Sequence, residues 1–272
     1  MKQFILNNEP DRDKTIRLEG KDYNYLVRVR RLATGEYFSA LLPSGEETLV
    51  QIISADNGTL IGKCTPPSSS SLPPCPVCPR VKTCETLPPI ILFQALPKSD
   101  KMDLIVRQAA EGGIAKIVPF VSEFSIAKAK IGGQKFLRWE RIIKEARQQS
   151  GSKISTILHK PLSMFELFEY WKELNSTDAL GLLFHHQQGL EQNSLHWYLD
   201  SNPKTVVFAI GPEGGFSGKE VSAFLENGFL PLTIGDTVLR SETAALYCAA
   251  AIRILLLERK SWKLKPPEYG SE

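Results

Sequence analysis

Two segments near the C-terminus constrain the fold more than any others. One runs Ala209-Ile-Gly-Pro-Glu-Gly-Gly-Phe-Ser-Gly-Lys-Glu220, the other Ile234-Gly-Asp-Thr-Val-Leu-Arg-Ser-Glu-Thr-Ala-Ala-Leu246. Each sets a glycine-bearing turn between an apolar run and a predicted helix. In an open α/β sheet, turns of this kind at the carboxyl ends of strands form the ligand crevice. The first segment departs from phosphate-binding loops. Gly211-x-x-Gly214-Gly215 is not G-x-G-x-x-G, and Gly218-Lys219 is followed by Glu220 where a Ser or Thr is required. Glu213 would also repel a phosphate. A ligand held here is expected to be gripped by something other than phosphates.

The rest of the chain is read around that crevice. Residues 1–65 contain short β segments, Tyr37–Leu42, Thr48–Ile53 and Thr59–Gly62, separated by Pro43-Ser-Gly45 and Asp56-Asn-Gly58. Closely spaced strands with such turns predict a small β-barrel domain. Residues 66–89 are rich in Pro, Ser and Cys and predict a linker or insert without a core. From Ile90 the rhythm changes to continuous apolar runs alternating with helical patterns. Strands are expected at Ile90–Leu96, Ala115–Val121, Leu180–Phe184, Thr205–Ile210 and Leu230–Ile234. Asp100 is placed to cap a helix that buries Met102, Ile105, Val106 and Ala109. A second helix puts Phe136, Trp139, Ile143 and Ala146 on one face. Ser217-x-x-Glu220 is a capping box, and a last helix is expected over about Thr243 to Glu258. The alternation predicts an α/β domain over 90–262, built on a parallel sheet with helices on both faces, and a tail over 263–272.

Composition narrows the class. The 272 residues are 42% hydrophobic and carry a net charge of +3, so overall charge does not point to nucleic acid. Arg28, Arg30 and Arg31 form a local basic run, readable as a solvated strand face or as a contact for an RNA backbone. No stretch approaches the ~20 apolar residues of a membrane span, and the N-terminus lacks a secretory core. A cytoplasmic protein without a membrane association is expected. Five cysteines, an odd number, argue against a disulfide framework. Cys75-x-x-Cys78 with Cys84 and Cys64 matches no common zinc spacing, so no metal is expected.

The chemistry of the two loops follows from their position. Helix N-termini offer backbone N–H groups without partners, and glycine lets a flat ligand approach them. Main-chain hydrogen bonds of that kind can hold an adenine and a ribose. Glu213 and Glu242 suit a cationic ligand such as a sulfonium. Arg240, beside Ser241 and Thr243, can hold an anionic group or orient a nucleic-acid substrate.

Gly211-Pro-Glu-Gly-Gly-Phe-Ser-x-x-Glu220 followed by Gly235-x-x-Val-Leu-Arg-x-Glu-Thr-Ala244 closely resembles the ribosomal small-subunit RNA uridine-N3 methyltransferases, of the trefoil-knotted SPOUT methyltransferase superfamily. Leu96-Pro-Lys-x-x-Lys-Met-Asp103, Arg138-Trp-x-x-Ile142 and Gln149-Ser-Gly151 extend the resemblance. Leu26-x-Arg-Val-x-Arg31 and Gly35-Glu36 look like that family's N-terminal RNA-binding barrel. The resemblance implies a C-terminal α/β domain tied in a trefoil knot, a PUA-like N-terminal barrel and a homodimer. It implies S-adenosylmethionine as cofactor and a uridine N3 of 16S ribosomal RNA, in the small ribosomal subunit, as the methylated position. By carry-over, Phe184, His185, Gly211, Gly214, Gly215, Ile234, Gly235, Leu239, Ser241 and Ala244 would line the cofactor pocket. Arg240 would orient the substrate, with Glu213 and Glu242 as secondary candidates for proton handling, and Arg28, Arg30 and Arg31 would meet RNA. The same fold could instead methylate a ribose 2′-hydroxyl or another base, or serve as a non-catalytic RNA-binding protein of ribosome assembly.

The chain also departs from that family's pattern. Phe124, Ser152 and Thr237 stand where a basic residue is frequent. Each missing charge removes about one counterion from an RNA contact, for which Lys116, Lys128, Lys130 and Lys153 are candidates to compensate.

Overall fold

The computed structural model describes residues 4–65, 87–125, 133–176, 178–186 and 190–261. Cys75, Cys78 and Cys84, Lys128 and Lys130, and the tail 263–272 lie outside these residues. The chain divides into two compact units, one of residues 1–84 with 144–155, the other of 85–143 with 156–272.

The first unit holds β1 (Phe4–Ile5), β2 (Thr15–Glu19), α1 (Gly20–Tyr23), β3 (Tyr37–Leu41), β4 (Glu47–Asp56) and β5 (Thr59–Thr65). They form one sheet in the order β1-β3-β4-β5-β2, antiparallel except for the β1–β3 pair. The β4–β5 hairpin turns on Asn57 and Gly58, with φ of 51° and 80°. Two successive positive φ values make the type I′ turn whose twist suits a hairpin, which is why Asn-Gly stands there. Alternate residues of β4 and β5 point inward, and Phe4, Phe38, Val50, Ile52 and Leu60 share one core with Leu26. The basic run is not a strand. Residues 24–29 form a π-helical turn, closed by Arg30 N–H donating to the Tyr25 carbonyl at 2.9 Å. Leu26 is buried while Arg28, two residues on, is exposed, which a two-residue period does not allow and a helical turn does.

The second unit holds β6 (Ile90–Ala95), α2 (Lys101–Glu111), β7 (Lys116–Phe120), the start of α3 (Gly133–Ser150), β8 (Ile157–Leu158), α4 (Met164–Asn175) and β9 (Ala179–Phe184). α5 (Leu195–Asp200), β10 (Thr205–Ile210), α6 (Gly218–Glu226), β11 (Leu230–Leu232) and α7 (Ser241–Ser261) complete it. Its sheet is wholly parallel, in the order β11-β9-β10-β6-β7-β8. β6 is buried at every residue, as a parallel strand covered on both faces must be.

Helix starts show how local sequence acts. Ser217 and Glu220 form a reciprocal capping box at α6, and Ser163 and Glu166 form another at α4. Asp100 precedes α2 but makes no side-chain cap; its carbonyl accepts from Asp103 N–H at 2.9 Å instead. Its φ and ψ of −95° and 14° lie outside the extended region that aims a cap side chain at the first turn. α4 and α5 lie where no element was expected, and α7 begins two residues earlier than its pattern indicated. Among the described residues, no helix is long and apolar enough to cross a membrane.

Chain direction in this sheet positions the site. From β6 the chain steps outward to β7 and β8, then returns to the other side for β9 and β10. The order therefore reverses between β6 and β10. The loops leaving β9, β10 and β11 open at that reversal, where crevices form in α/β sheets.

Candidate active site

A cavity of about 580 Å³ lies at the carboxyl ends of β9, β10 and β11, closed on one side by the start of α7. That size falls in the range of small-molecule sites. Phe184 and His185 reach it from the end of β9, Gly211, Glu213 and Gly215 from the loop after β10. Ile234, Gly235 and Leu239 line it from the loop after β11, and Ser241 and Ala244 from the first turns of α7. Gly214 does not line it. A Cβ there would come 3.2 Å from the Phe124 Cβ, so this glycine is the packing partner of Phe124. Arg240 and Glu242 are also outside the lining.

Backbone geometry explains the glycines. Gly215 has φ +71°, and a Cβ on it would sit 3.0 Å from His186 Cε1. A Cβ on Gly211 would lie 3.1 Å from the Gly215 carbonyl carbon. The turn thus folds back on itself, and larger residues would either strain or unfold it.

Electrostatics set the loop's ligand preference. Among the described residues, the lining carries the carboxylates of Glu213 and Asp236 and neither lysine nor arginine. Glu213 is tied to the end of β6's loop. Lys98 N–H donates to both its oxygens, at 3.1 and 3.2 Å, and Lys101 Nζ lies 2.9 Å away. Burial pushes the Glu213 carboxyl up, but Lys101 and the backbone donors outweigh it and leave the group below the usual carboxylate range. Lys101 also lies 3.4 Å from Glu242 Oε2, and these carboxylates hold its ammonium above the ordinary lysine range. A carboxylate held ionised by a lysine is a weak proton acceptor and a good anchor. His185 is pushed down by burial and then by His186, so a neutral imidazole faces the cavity near pH 7. Burial pushes the Cys248 thiol up, which keeps it protonated there.

The Arg240 side chain is exposed, while its carbonyl accepts from Ala244 N–H at 2.7 Å as the first bond of α7. Backbone and side chain thus act separately: one starts the helix, the other remains available at the end of the loop. Phe124 and Thr237 are both exposed, Thr237 in the cavity lining and Phe124 against Gly214.

Comparison with known proteins is decisive. A family model described as RNA methyltransferase domain matches residues 85–253, more than half of the chain. The ribosomal RNA small subunit methyltransferase E of Aquifex aeolicus is 34% identical over 173 residues, covering 62% of this chain and 71% of that protein. The chain belongs to this RNA methyltransferase family. The methyltransferase E of a Synechocystis species is 29% identical over 90% of this chain and 74% of its own length. The crystal structure of the Neisseria gonorrhoeae methyltransferase E, bound to S-adenosyl methionine, has a TM-score of 0.76 and 22% identity, covering 94% of this chain and 98% of that one.

Several residues of this methyltransferase's site escaped the sequence reading. Lys101 sits inside Leu96-Pro-Lys-x-x-Lys-Met-Asp103, but nothing in that spacing indicates two carboxylates from distant segments. Gln94 had a visible signal, as the one polar residue in the apolar run Ile90–Leu96. Phe216 and Val238 stand inside the two loop motifs but were not named as site residues, and His186 lines the cavity without any local pattern to mark it.

Proposed function

We propose that this chain transfers a methyl group from S-adenosylmethionine to N3 of a uridine in the 16S ribosomal RNA of the small subunit. The observation that carries the reading is the cavity at the reversal of the sheet, whose lining among the described residues combines close-approach glycines with carboxylates and holds neither lysine nor arginine. That donor set disfavours a phosphate and favours a ligand with a positive sulfur. Main-chain groups of the loops after β10 and β11 would hold the adenine and ribose, with Phe184 and Leu239 as apolar walls. Of the ten residues carried over from the family, the nine that line the cavity remain the proposed residues of the cofactor site, and Gly214 acts through its packing on Phe124.

When bound, S-adenosylmethionine supplies a methyl group on a sulfonium, which N3 accepts as the sulfur–carbon bond breaks and the N3 proton passes to solvent. The residues of this chain align the partners and stabilise charge. Arg240, fixed by its backbone at the start of α7, presents its guanidinium to the uracil oxygens that become more negative as N3 loses its proton. Glu213 and Glu242, anchored on Lys101, hold the two loops and leave proton removal to the polarised base itself.

The finer architecture belongs with this reading. Residues 1–65 are proposed as a PUA-like barrel that meets RNA through Arg28, Arg30 and Arg31, and 90–262 as a trefoil-knotted domain working in the cytoplasm. Tyr247, Ala250, Ile254 and Leu257 form an exposed seam on α7 at heptad spacing, which supports a homodimer through that helix.

Calorimetry tests the cofactor assignment. S-adenosylmethionine is expected to bind the purified protein and ATP is not. Binding of ATP in preference would overturn the reading.

A further inference from the structure

Gln94 occupies the fifth position of β6 and is fully buried. Its Nε2 donates to the Ala95 carbonyl at 2.9 Å and to Ser241 Oγ at 3.0 Å. A carbonyl only accepts, so the amide nitrogen must face this side and the orientation of the group is determined. Ser241 has a single proton. With one of its lone pairs receiving Gln94, that proton goes to the Gly211 carbonyl, 2.7 Å away. The bonds run with one polarity from β6, through the first residue of α7, to the loop after β10. Gly211 and Ser241 both line the cavity.

The other end of the amide is as informative. Gln94 Oε1 is buried and has no hydrogen-bond partner among the described residues. An orphan carbonyl in a core is destabilising, and a leucine or methionine at this position would remove it. Among Ile91, Leu92, Phe93 and Ala95, the favourable contribution of this amide comes from its N–H groups.

We propose that Gln94 is a positioning residue for the cofactor site. By donating to Ser241 it aims the serine hydroxyl at Gly211 and sets the glycine loop in its ligand-binding shape. Ser241 then acts on the loop rather than on the cofactor, since its proton is committed to Gly211. This inference rests on the assignment of the cavity to S-adenosylmethionine.

The test compares wild type with Gln94→Leu, Gln94→Glu, Ser241→Ala and Ser241→Thr. It reads cofactor affinity by calorimetry, KM and kcat for methyl transfer, and melting temperature. Gln94→Leu is expected to keep the wild-type melting temperature, to weaken S-adenosylmethionine binding about tenfold and to leave kcat at saturating cofactor within about twofold. At a pH high enough to ionise this buried side chain, the carboxylate of Gln94→Glu can only accept. It takes the Ser241 proton away from Gly211, so the loss is expected to be at least as large as for leucine. Ser241→Ala is expected to lose affinity likewise, with no further loss when combined with Gln94→Leu, while Ser241→Thr keeps the hydroxyl and the affinity. Should Gln94→Leu not fold, Gln94→Glu and Ser241→Ala decide the matter. Wild-type affinity in these variants, or a fall in kcat that merely tracks a fall in melting temperature, overturns the role of Gln94 alone. Absence of S-adenosylmethionine binding by the wild type overturns the cavity assignment, and this inference with it.

Discussion

Lys101 Nζ lies 2.9 Å from Glu213 Oε1 and so joins the first turn of α2 to the loop that leaves β10. The same ammonium reaches Glu242 on α7 at 3.4 Å. One cation from the first turn of α2 thus serves two carboxylates, one from the loop after β10 and one from the first turn of α7. Without it, the Glu213 and Glu242 carboxylates would lose the counter-charge they share.

Lys101→Met is expected to lower stability by about 1 kcal/mol, since the pair keeps some contact with solvent. The pH dependence has a definite sign. Glu213 titrates lower folded than unfolded, so its contribution is present above the unfolded carboxylate pKa and disappears as pH falls through the folded one. Lys101 titrates higher when folded, so its contribution is present below the unfolded lysine pKa and is lost as pH rises through the folded value. The difference in melting temperature between wild type and variant should therefore be full near neutrality and vanish in acid below the carboxylate range. A difference that persists unchanged at low pH would contradict the ion pair's role.

Gly215→Ala should disturb the cavity rather than the core. Its φ of +71° and the 3.0 Å approach to His186 leave no unstrained place for a methyl group. A stability loss of about 1–2 kcal/mol is expected, with a loss of cofactor affinity greater than that strain alone would produce. Calorimetry and thermal melts on the same samples separate the two effects.

Glu220 offers a prediction away from the cavity. Its carboxylate accepts from Ser217 N–H at 3.0 Å, Ser122 Oγ at 3.1 Å and Glu123 N–H at 2.9 Å, and it is buried. It therefore caps α6 and at the same time ties that helix to the turn after β7. Glu220→Ala is expected to destabilise by roughly 2–3 kcal/mol, since the buried Ser122 hydroxyl and the half-buried Glu123 N–H lose their acceptor along with the cap. Urea unfolding measures this. A loss well below 1 kcal/mol, typical of an exposed cap, would show that the link to Ser122 and Glu123 contributes little.

How much of this was legible beforehand depended on range. The capping box of Ser217 and Glu220 could be read because both partners lie within one turn. The donors that Ser122 and Glu123 bring to Glu220, about a hundred residues away, could not be read. Strands β6 and β10 stood out as apolar runs because both their faces are covered. Of the two readings of the run at Arg28, the strand face does not hold: alternating Val and Arg mimic a two-residue period, whereas Leu26 is buried by a helical turn. The glycines of the cavity were visible as loop residues, yet the side-chain chain from Gln94 to Ser241 to Gly211 spans 147 residues between its first two members. Local pattern carries no information at that separation; only the reversal of strand order between β6 and β10 brings these residues together.

Arg240→Ala should separate binding from turnover. The side chain is exposed and outside the cavity lining, while its backbone begins α7. The variant is expected to bind S-adenosylmethionine as the wild type does and to lose about 10²–10³-fold in kcat. Loss of cofactor binding in step with turnover would move Arg240 to a cofactor or structural role.

The most direct measurement is to incubate the purified protein with isotopically labelled S-adenosylmethionine and small ribosomal subunits lacking the modification, then digest the 16S RNA to nucleosides and identify the labelled product by mass spectrometry. A single labelled 3-methyluridine is the predicted result. Label on a ribose 2′-hydroxyl or on another base, or no label in RNA while the protein binds the cofactor, would contradict the assignment.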